Sequence, residues 1–369
     1  MISITDIETP DSDTLKFVVS DCNSSFINAI RRTILSEVET VGFNIDDYET
    51  SDLKVIKNSS SLHNEFLLHR LGQIPINIED VDNFNPDNYK FVLKKHNNTN
   101  NIINVTSKDF KVTNLETGQE EDITKFFPPS SITKDNILII TLKNNPTGDG
   151  EEIHVEGKCS KGIGKENSRY SPVSCVVFIN KKDQSKAQQA FEDMVSQMEV
   201  KPTAEELKSL ARKFDIEESE RFFYVDDNGD PNRFDFTIET IGVIPPSQIF
   251  KRACKVLVNK LKNFNKNLEL ALNSKESTIS IRESTSVMKG FDITIEEENH
   301  TLGFLLQTYL NKLNDTVFVG YMNPHPLEKK IMIRVNFSDN DINKVKDAFD
   351  KTTSYLIGEF NKLQSVDGM

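Results

Sequence analysis

The segment Asp21–Leu35, DCNSSFINAIRRTIL, joins a polar turn to a regularly spaced series of apolar residues. These apolar residues are separated by three or four positions: Ile27, Ile30 and Ile34. Such spacing places them on one face of an α-helix, for which Ser24 or Ser25 is a suitable N-cap. Residues 15–19, before the turn, form the alternating run expected of a strand. The segment therefore predicts a strand, a capped turn and an amphipathic helix in succession.

The last part of the chain repeats this order. Residues 291–295 alternate as in a strand, and Glu298–Leu310, ENHTLGFLLQTYL, follows with Thr301 as a suitable cap. The apolar face of this helix is predicted to contain Leu302, Leu305, Leu306, Tyr309, Leu310 and Leu313. Each block is followed by another long amphipathic helix, marked by Phe250 and Leu257, and by Phe349 and Leu356. We predict two similar strand-and-helix repeats whose four apolar helix faces cover one another. Two unrelated domains would show the same periodicity.

The residues between the two blocks are rich in strand and turn signals. Two β-like runs, 137–142 and 152–155, flank the turn-forming segment 144–150 and predict a hairpin. The acidic cluster 226–230 lacks the terminal Glu of a calcium-binding EF-hand loop, so it predicts a solvated turn. The chain is therefore expected to mix helices with strands.

The composition limits the classes of function. The 369 residues include 44 Lys and Arg against 57 Asp and Glu, a formal charge of −13, whereas nonspecific nucleic-acid binding needs clustered cations. Hydrophobic residues make up 37% of the chain, which is enough for a folded core. The four cysteines contain no CxxC pair, so we expect free thiols in a reducing compartment. There is no signal-peptide pattern and no apolar run of bilayer length, which predicts a soluble intracellular protein without membrane contact.

Sites for catalysis are weakly indicated. Gly157–Lys165, GKCSKGIGK, resembles a phosphate-binding loop, but Ile163 stands where a P-loop has its lysine. His63 and His69 are six residues apart and so on different faces of a helix, whereas a zincin needs two histidines four apart. No Ser/His/Asp or Cys/His grouping is indicated. A nucleotide-dependent enzyme that uses the glycine-rich segment is the alternative to a non-catalytic protein.

The pair Arg31-Arg32, near the end of the first helix, has two interpretations. Solvated arginines at this position would interact favourably with the helix macrodipole. Alternatively, they would anchor another protein, because arginine at interfaces forks onto carboxylates or backbone carbonyls. The residues alone leave both interpretations open.

Longer motifs resemble a known family. The segments that carry the resemblance to its larger member are Asn28–Ser36 (NAIRRTILS), Leu62–Ile76 (LHNEFLLHRLGQIPI), Lys161–Val173 (KGIGKENSRYSPV) and Phe236–Pro245. Those that resemble its smaller member are His300–Gly303 (HTLG) and Gly320–Glu328 (GYMNPHPLE). The family is the alpha-like assembly subunits of multisubunit DNA-directed RNA polymerase. The chain resembles the eukaryotic third and eleventh subunits, or the archaeal D and L subunits, joined in one polypeptide.

The resemblance implies an α+β fold with two pseudo-symmetric dimerisation units in one chain. The implied domains are 1–76 with 232–268 (larger dimerisation domain), 77–231 (β-rich insertion), 269–287 (linker) and 288–369 (smaller dimerisation domain). The pair would be a non-catalytic platform for the second-largest and then the largest catalytic subunit. A dimerisation scaffold that acts outside transcription is the alternative to this role. Small accessory subunits would also bind, and DNA would be met only through the assembled complex. The implied docking residues are Asn28, Arg31, Arg32, His69 and Arg70.

Two departures from the family pattern refine these expectations. Residues 81–104 lack the cysteines that hold zinc or iron–sulfur in many relatives, so we expect no metal and no cofactor. Gln307-Thr308 stand where the first repeat has Arg31-Arg32, so only one side of the pseudo-dimer should present a cationic anchor. The fused, asparagine-rich form resembles proteins of large DNA viruses. That resemblance implies that the protein is located in the host cytoplasm and is also packaged in the virion. A protein that is not viral would be located in the nucleus.

Overall fold

A computed structural model describes residues 2–47, 49–144, 150–198, 202–273, 275–284, 289–339 and 341–366. The elements up to the middle of the chain are β1 (Ser3–Glu8), β2 (Thr14–Ser20), α1 (Ser24–Ser36), β3 (Glu39–Gly42), β4 (Leu53–Asn58), α2 (Asn64–Gly72), β5 (Tyr89–His96), β6 (Ile103–Thr106), β7 (Phe110–Asn114), β8 (Glu120–Glu121), α3 (Ile123–Phe126), β9 (Leu138–Leu142), β10 (Glu152–Gly157) and β11 (Ser160–Ile163). They are followed by β12 (Val173–Asn180), α4 (Gln184–Ser196), α5 (Ala204–Glu217), β13 (Arg233–Thr240), α6 (Pro246–Leu272), β14 (Ile279–Glu283), β15 (Phe291–Glu296), α7 (His300–Leu310), β16 (Thr316–Met322), β17 (Lys330–Phe337) and α8 (Ile342–Gln364). The fold is α+β, as predicted.

Two four-stranded sheets show the predicted internal repeat. Their strand orders are β1-β2-β13-β12 and β14-β15-β17-β16, so each strand of the first sheet has a counterpart in the second. Helices also follow equivalent strands: α1 follows β2 as α7 follows β15, and α6 follows β13 as α8 follows β17. We call these two sets of elements the N-terminal and C-terminal repeats.

The turn before the first helix of each repeat has the same backbone geometry. Asp21 and Glu297 both have φ of 60°, in the left-handed region that non-glycine residues rarely adopt. Two residues later, the Asn23 side chain accepts the Phe26 N–H at 3.0 Å, and Asn299 accepts the Thr301 N–H at 2.8 Å. The N-caps are therefore asparagines, and the predicted caps Ser24, Ser25 and Thr301 were wrong. An asparagine side-chain oxygen caps the free N–H groups of a first turn as well as a serine hydroxyl does.

The chain forms two compact units. The first comprises Met1–Thr33, Cys175–Ile238 and Phe250–Met369, and the second comprises Ile34–Ser174 and Glu239–Ile249. The second unit begins at Ile34, before the predicted insertion 77–231. The chain returns to the first unit at Cys175, so α4 and α5 belong to the first unit. The predicted linker 269–287 contains β14, which pairs with β15 and has its Ile279 side chain buried. Residues 285–288, including the predicted start of the smaller domain, lie outside the described residues.

Helices from opposite ends of the chain pack together within the first unit. The Phe26 ring of α1 is stacked on Phe360 of α8, with centroids 4.4 Å apart, and meets Tyr309 of α7 edge-on at 6.4 Å. The ring centroids of Phe264 in α6 and Phe349 in α8 are 5.2 Å apart. The residues that were predicted to cover one another are all buried: Ile27, Ile30, Ile34, Phe250, Leu257, Leu302, Leu305, Leu306, Tyr309, Phe349 and Leu356.

The second compact unit has its own aromatic core beside a five-stranded sheet of order β4-β10-β5-β7-β8. Its buried rings include Phe43, Phe91, Phe110, Phe126 and Phe127. The predicted hairpin was wrong, because β9 pairs with β6, whereas β10 pairs with β4 and β5. A central position in a larger sheet buries Ile153 and Val155 completely, which a two-stranded hairpin would not do. Residues 145–149 of the intervening turn lie outside the described residues.

Candidate partner-docking site

A cleft lies beside the middle of α1 in the first compact unit and encloses about 400 Å³. It is lined by Ser24, Asn28 and Arg31 of α1, Val177 and Phe178 of β12, and Phe304 of α7. We call it the Arg31 cleft. It combines one cation and two small polar side chains with three apolar ones, a mixture common at protein interfaces.

Arg31 brings an uncompensated positive charge to this cleft. Its guanidinium Nε donates to the Asn28 side-chain oxygen at 3.0 Å, so Asn28 fixes the orientation of the arginine. Desolvation and the neighbouring Arg32 both lower the pKa of Arg31, and no carboxylate of the described residues opposes that effect. A half-buried cation without a counter-charge favours binding of an acidic group.

Arg32 has a different environment. Its Nε donates to the Thr301 hydroxyl at 2.8 Å, which links α1 of the N-terminal repeat to α7 of the C-terminal repeat. The contact between Phe26 and Tyr309 joins the opposite ends of the same two helices, so α1 and α7 run antiparallel. Arg32 therefore contributes to the contact between the repeats, whereas Arg31 faces the cleft.

The other two predicted docking residues lie on α2, in the second compact unit. Arg70 donates through Nε to the Ile139 carbonyl at 2.8 Å and through Nη2 to the Leu138 carbonyl at 2.9 Å, so its guanidinium anchors β9. His69 is exposed beside it. Phe66, one turn earlier, is 66% exposed, and sequence reasoning did not single it out. A single exposed aromatic side chain is common on protein surfaces, so Phe66 alone does not mark a docking site.

At the site of the C-terminal repeat that is equivalent to the Arg31 cleft, side chains of α7 contact Tyr321 of β16. Counting from the two cap asparagines, Asn28 corresponds to Phe304 and Arg31 to Gln307. The Gln307 side-chain oxygen accepts the Tyr321 N–H of β16 at 3.1 Å, and the His300 and Phe304 rings contact the Tyr321 ring. The repeats are alike in backbone but differ at this site.

The glycine-rich segment is explained by packing. A Cβ on Gly162 would lie 2.5 Å from the Tyr170 ring, and one on Gly157 would lie 1.9 Å from the Asp52 carbonyl oxygen. Residues 160–163 form β11, which pairs with β3, so they are not a loop that could wrap a phosphate. The Lys158 ammonium lies 2.7 Å from the Asp87 carboxylate. These contacts argue against the nucleotide-binding alternative.

Within the part of the chain that the structure describes, no group of three or more His, Cys, Asp or Glu side chains is arranged to hold a metal ion. His63 caps α2, since its Nδ1 accepts the Glu65 N–H at 3.4 Å. Among the same residues, no helix is both long and apolar enough to span a bilayer.

Comparison with known families gives two matches in this one chain. Residues 16–261 and residues 291–366 each match a model of the RNA polymerase Rpb3/Rpb11 dimerisation domain. The chain belongs to the RNA polymerase Rpb3/Rpb11 dimerisation-domain family. The first match includes every element from α1 to β13, and the second runs from β15 into α8. The two Rpb3/Rpb11 domains are thus the two repeats, with β3 to β11 inserted in the first.

Relatives of the Rpb3/Rpb11 family agree with this assignment. The chain is 28% identical over 283 residues to DNA-directed RNA polymerase subunit Rpo3 of Pyrococcus furiosus, covering 70% of this chain and 94% of that protein. It is 27% identical over 287 residues to subunit 3 of DNA-directed RNA polymerases II, IV and V of Arabidopsis thaliana, covering 68% and 86%. A conjugation stage-specific protein of Tetrahymena thermophila is 26% identical over 293 residues, covering 67% and 88%.

Proposed function

We propose that this chain is a non-catalytic assembly subunit of a DNA-dependent RNA polymerase, and that the Arg31 cleft docks the second-largest catalytic subunit. The observation that carries the proposal is the uncompensated charge of Arg31 in a cleft beside the contact between the two repeats. Its membership of the Rpb3/Rpb11 family and its similarity to the polymerase subunits named above support the same role.

The two repeats would act as one preassembled platform. Joining them in one chain makes their pairing intramolecular, at effective concentrations on the order of millimolar for a short linker. The platform would bind first the second-largest and then the largest subunit, together with small accessory subunits. Nucleotidyl transfer would belong to the large subunits, and DNA would be contacted only in the complete complex.

A capture experiment tests this role. The tagged chain is co-expressed with the second-largest and largest polymerase subunits of the same source, and the captured subunits are quantified. We expect stoichiometric capture by the unchanged chain and at least a tenfold loss with Arg31→Glu or Arg31→Ala. Arg212→Glu, on the exposed surface of α5, is the matched control and should capture normally.

The outcomes separate the two parts of the proposal. If the unchanged chain captures neither large subunit, the polymerase role is wrong. If capture survives both Arg31 substitutions, the complex forms through another surface. Circular dichroism melting of each variant distinguishes loss of docking from loss of folding, and Arg31→Ala avoids placing a new carboxylate in the cleft.

A further inference from the structure

Strand β12 is an end strand with an unusual surface. It lies at one end of the sheet β1-β2-β13-β12, and its eight residues, VSCVVFIN, include no charged side chain. Val177 and Ile179 are 46% and 60% exposed. End strands are usually protected by charges, proline or a covering element, because their free N–H and C=O groups attract other strands. β12 combines an available backbone edge with exposed β-branched side chains.

This strand borders the Arg31 cleft. Val177 and Phe178 line the cleft together with Arg31, so backbone hydrogen-bonding groups, apolar side chains and a cation converge on one side of the first unit. An extended peptide that pairs with an end strand gains affinity from main-chain hydrogen bonds and specificity from alternate side chains. A carboxylate on such a peptide would form a charge-assisted pair with the guanidinium of Arg31.

The C-terminal repeat provides an internal comparison. Strand β16 is the corresponding end strand, and its Val317 is 65% exposed. No arginine corresponds to Arg31 there, and Gln307 is bound to the β16 backbone at Tyr321. Exposed apolar side chains alone therefore do not distinguish β12 from β16; the cation beside β12 does.

We propose that β12 pairs with an extended acidic segment of the docking polymerase subunit, which adds a strand to this sheet and places a carboxylate against Arg31. This inference rests on the proposed function and deepens it. The charge argument favours an acidic partner over a second copy of this chain, because β12 carries no carboxylate. Pairing of two β12 strands would bring two uncompensated Arg31 side chains together.

Hydrogen exchange of the full chain, alone and in the captured complex with the second-largest subunit, tests the strand pairing. We expect amide exchange in residues 174–180 to slow at least tenfold in the complex and exchange in residues 316–322 of β16 to stay unchanged. A complex in which 174–180 exchanges as fast as in the free chain overturns the inference and leaves the proposed function standing. Absence of any complex overturns both.

Substitutions and cross-linking test the side chains. Ile179→Asp should reduce capture at least tenfold, whereas the matched Val317→Asp on β16 should not; equal effects of the two would contradict the assignment.

In the Arg31→Lys variant, carbodiimide should couple the introduced amine to an Asp or Glu of the partner, and the absence of that cross-link in a formed complex would refute the carboxylate contact. A dimer of the free chain that Ile179→Asp dissociates would show that a second copy occupies β12, which also overturns the inference.

Discussion

Replacing Phe26 with alanine should weaken the contact between the two repeats more than it disturbs either repeat alone. Phe26 is completely buried, and its ring is stacked on Phe360 with the planes only 9° apart. It also meets Tyr309, so both of these ring partners lie near the other end of the chain. Phe-to-Ala changes in well-packed cores cost about 3–5 kcal/mol, and a paired aromatic ring adds roughly 1 kcal/mol.

The assay splits the chain after Asn273, so that β14 stays with its own sheet. Fragments 1–273 and 274–369 should reassociate when mixed, because buried aromatic rings of the two fragments stack on one another. Obligate interfaces of this apolar kind bury roughly 2,000 Å² or more. A loss of about 3 kcal/mol corresponds to roughly a 150-fold weaker affinity, since 1.4 kcal/mol is a tenfold change. Isothermal titration of the fragments measures this directly for the unchanged chain and for Phe26→Ala.

Phe66→Ala is the control for this measurement, since it makes the same chemical change at an exposed position of α2. We expect its effect on fragment affinity to stay within about 0.5 kcal/mol. If Phe26→Ala reassociates within threefold of the unchanged fragments, the stacked ring contributes little and the account of the packing between the repeats is wrong.

Three further predictions follow from other contacts. Arg32→Ala should weaken fragment reassociation about tenfold, because it removes a charged hydrogen bond to Thr301, yet leave large-subunit capture intact; capture that falls as far as with Arg31→Ala would contradict the division between the two arginines. Gly162→Ala should lower the free energy of unfolding of the second unit by about 1–3 kcal/mol in urea melts, because its Cβ would overlap the Tyr170 ring; an unchanged midpoint would refute that packing role. Burial raises the pKa of Cys22 to about 12, so the folded chain keeps this thiol protonated while the unfolded chain ionises it above about pH 9. Its contribution to stability should therefore be complete below pH 9 and be lost between pH 9 and 12, and the loss should shrink in Cys22→Ala melts.

The strand–turn–helix repeat could be predicted because helical periodicity and polar caps are local properties of the sequence. The capping residue itself was missed, since Asn23 is followed directly by two serines and all three residue types cap helices well. The pairing of β9 and β10 was missed because a turn signal between two strands favours a hairpin locally, whereas their partners lie far away in sequence.

The division between Arg31 and Arg32 also lay beyond sequence reasoning. Adjacent helical residues point about 100° apart, so a pair of arginines cannot serve one surface equally. Which of them meets Thr301 depends on how α1 and α7 cross. The contribution of Phe304 to the cleft depends on the same crossing. The four consecutive apolar residues 176–179 in β12 are typical of a strand that is buried on both faces, so no signal in the sequence indicated that this strand ends its sheet.

The tie between Phe26 and Phe360 has a consequence for biosynthesis. A ribosome synthesises Phe26 more than three hundred residues before its stacking partner Phe360. The apolar face of α1 around Phe26 therefore lacks this cover, and is accessible to water or to a chaperone, for nearly the whole of translation. Chains broken off before residue 360 would keep that face open. Only translation through α8 supplies the ring that stacks on Phe26, so an incomplete chain would lack the contact on which the proposed platform depends.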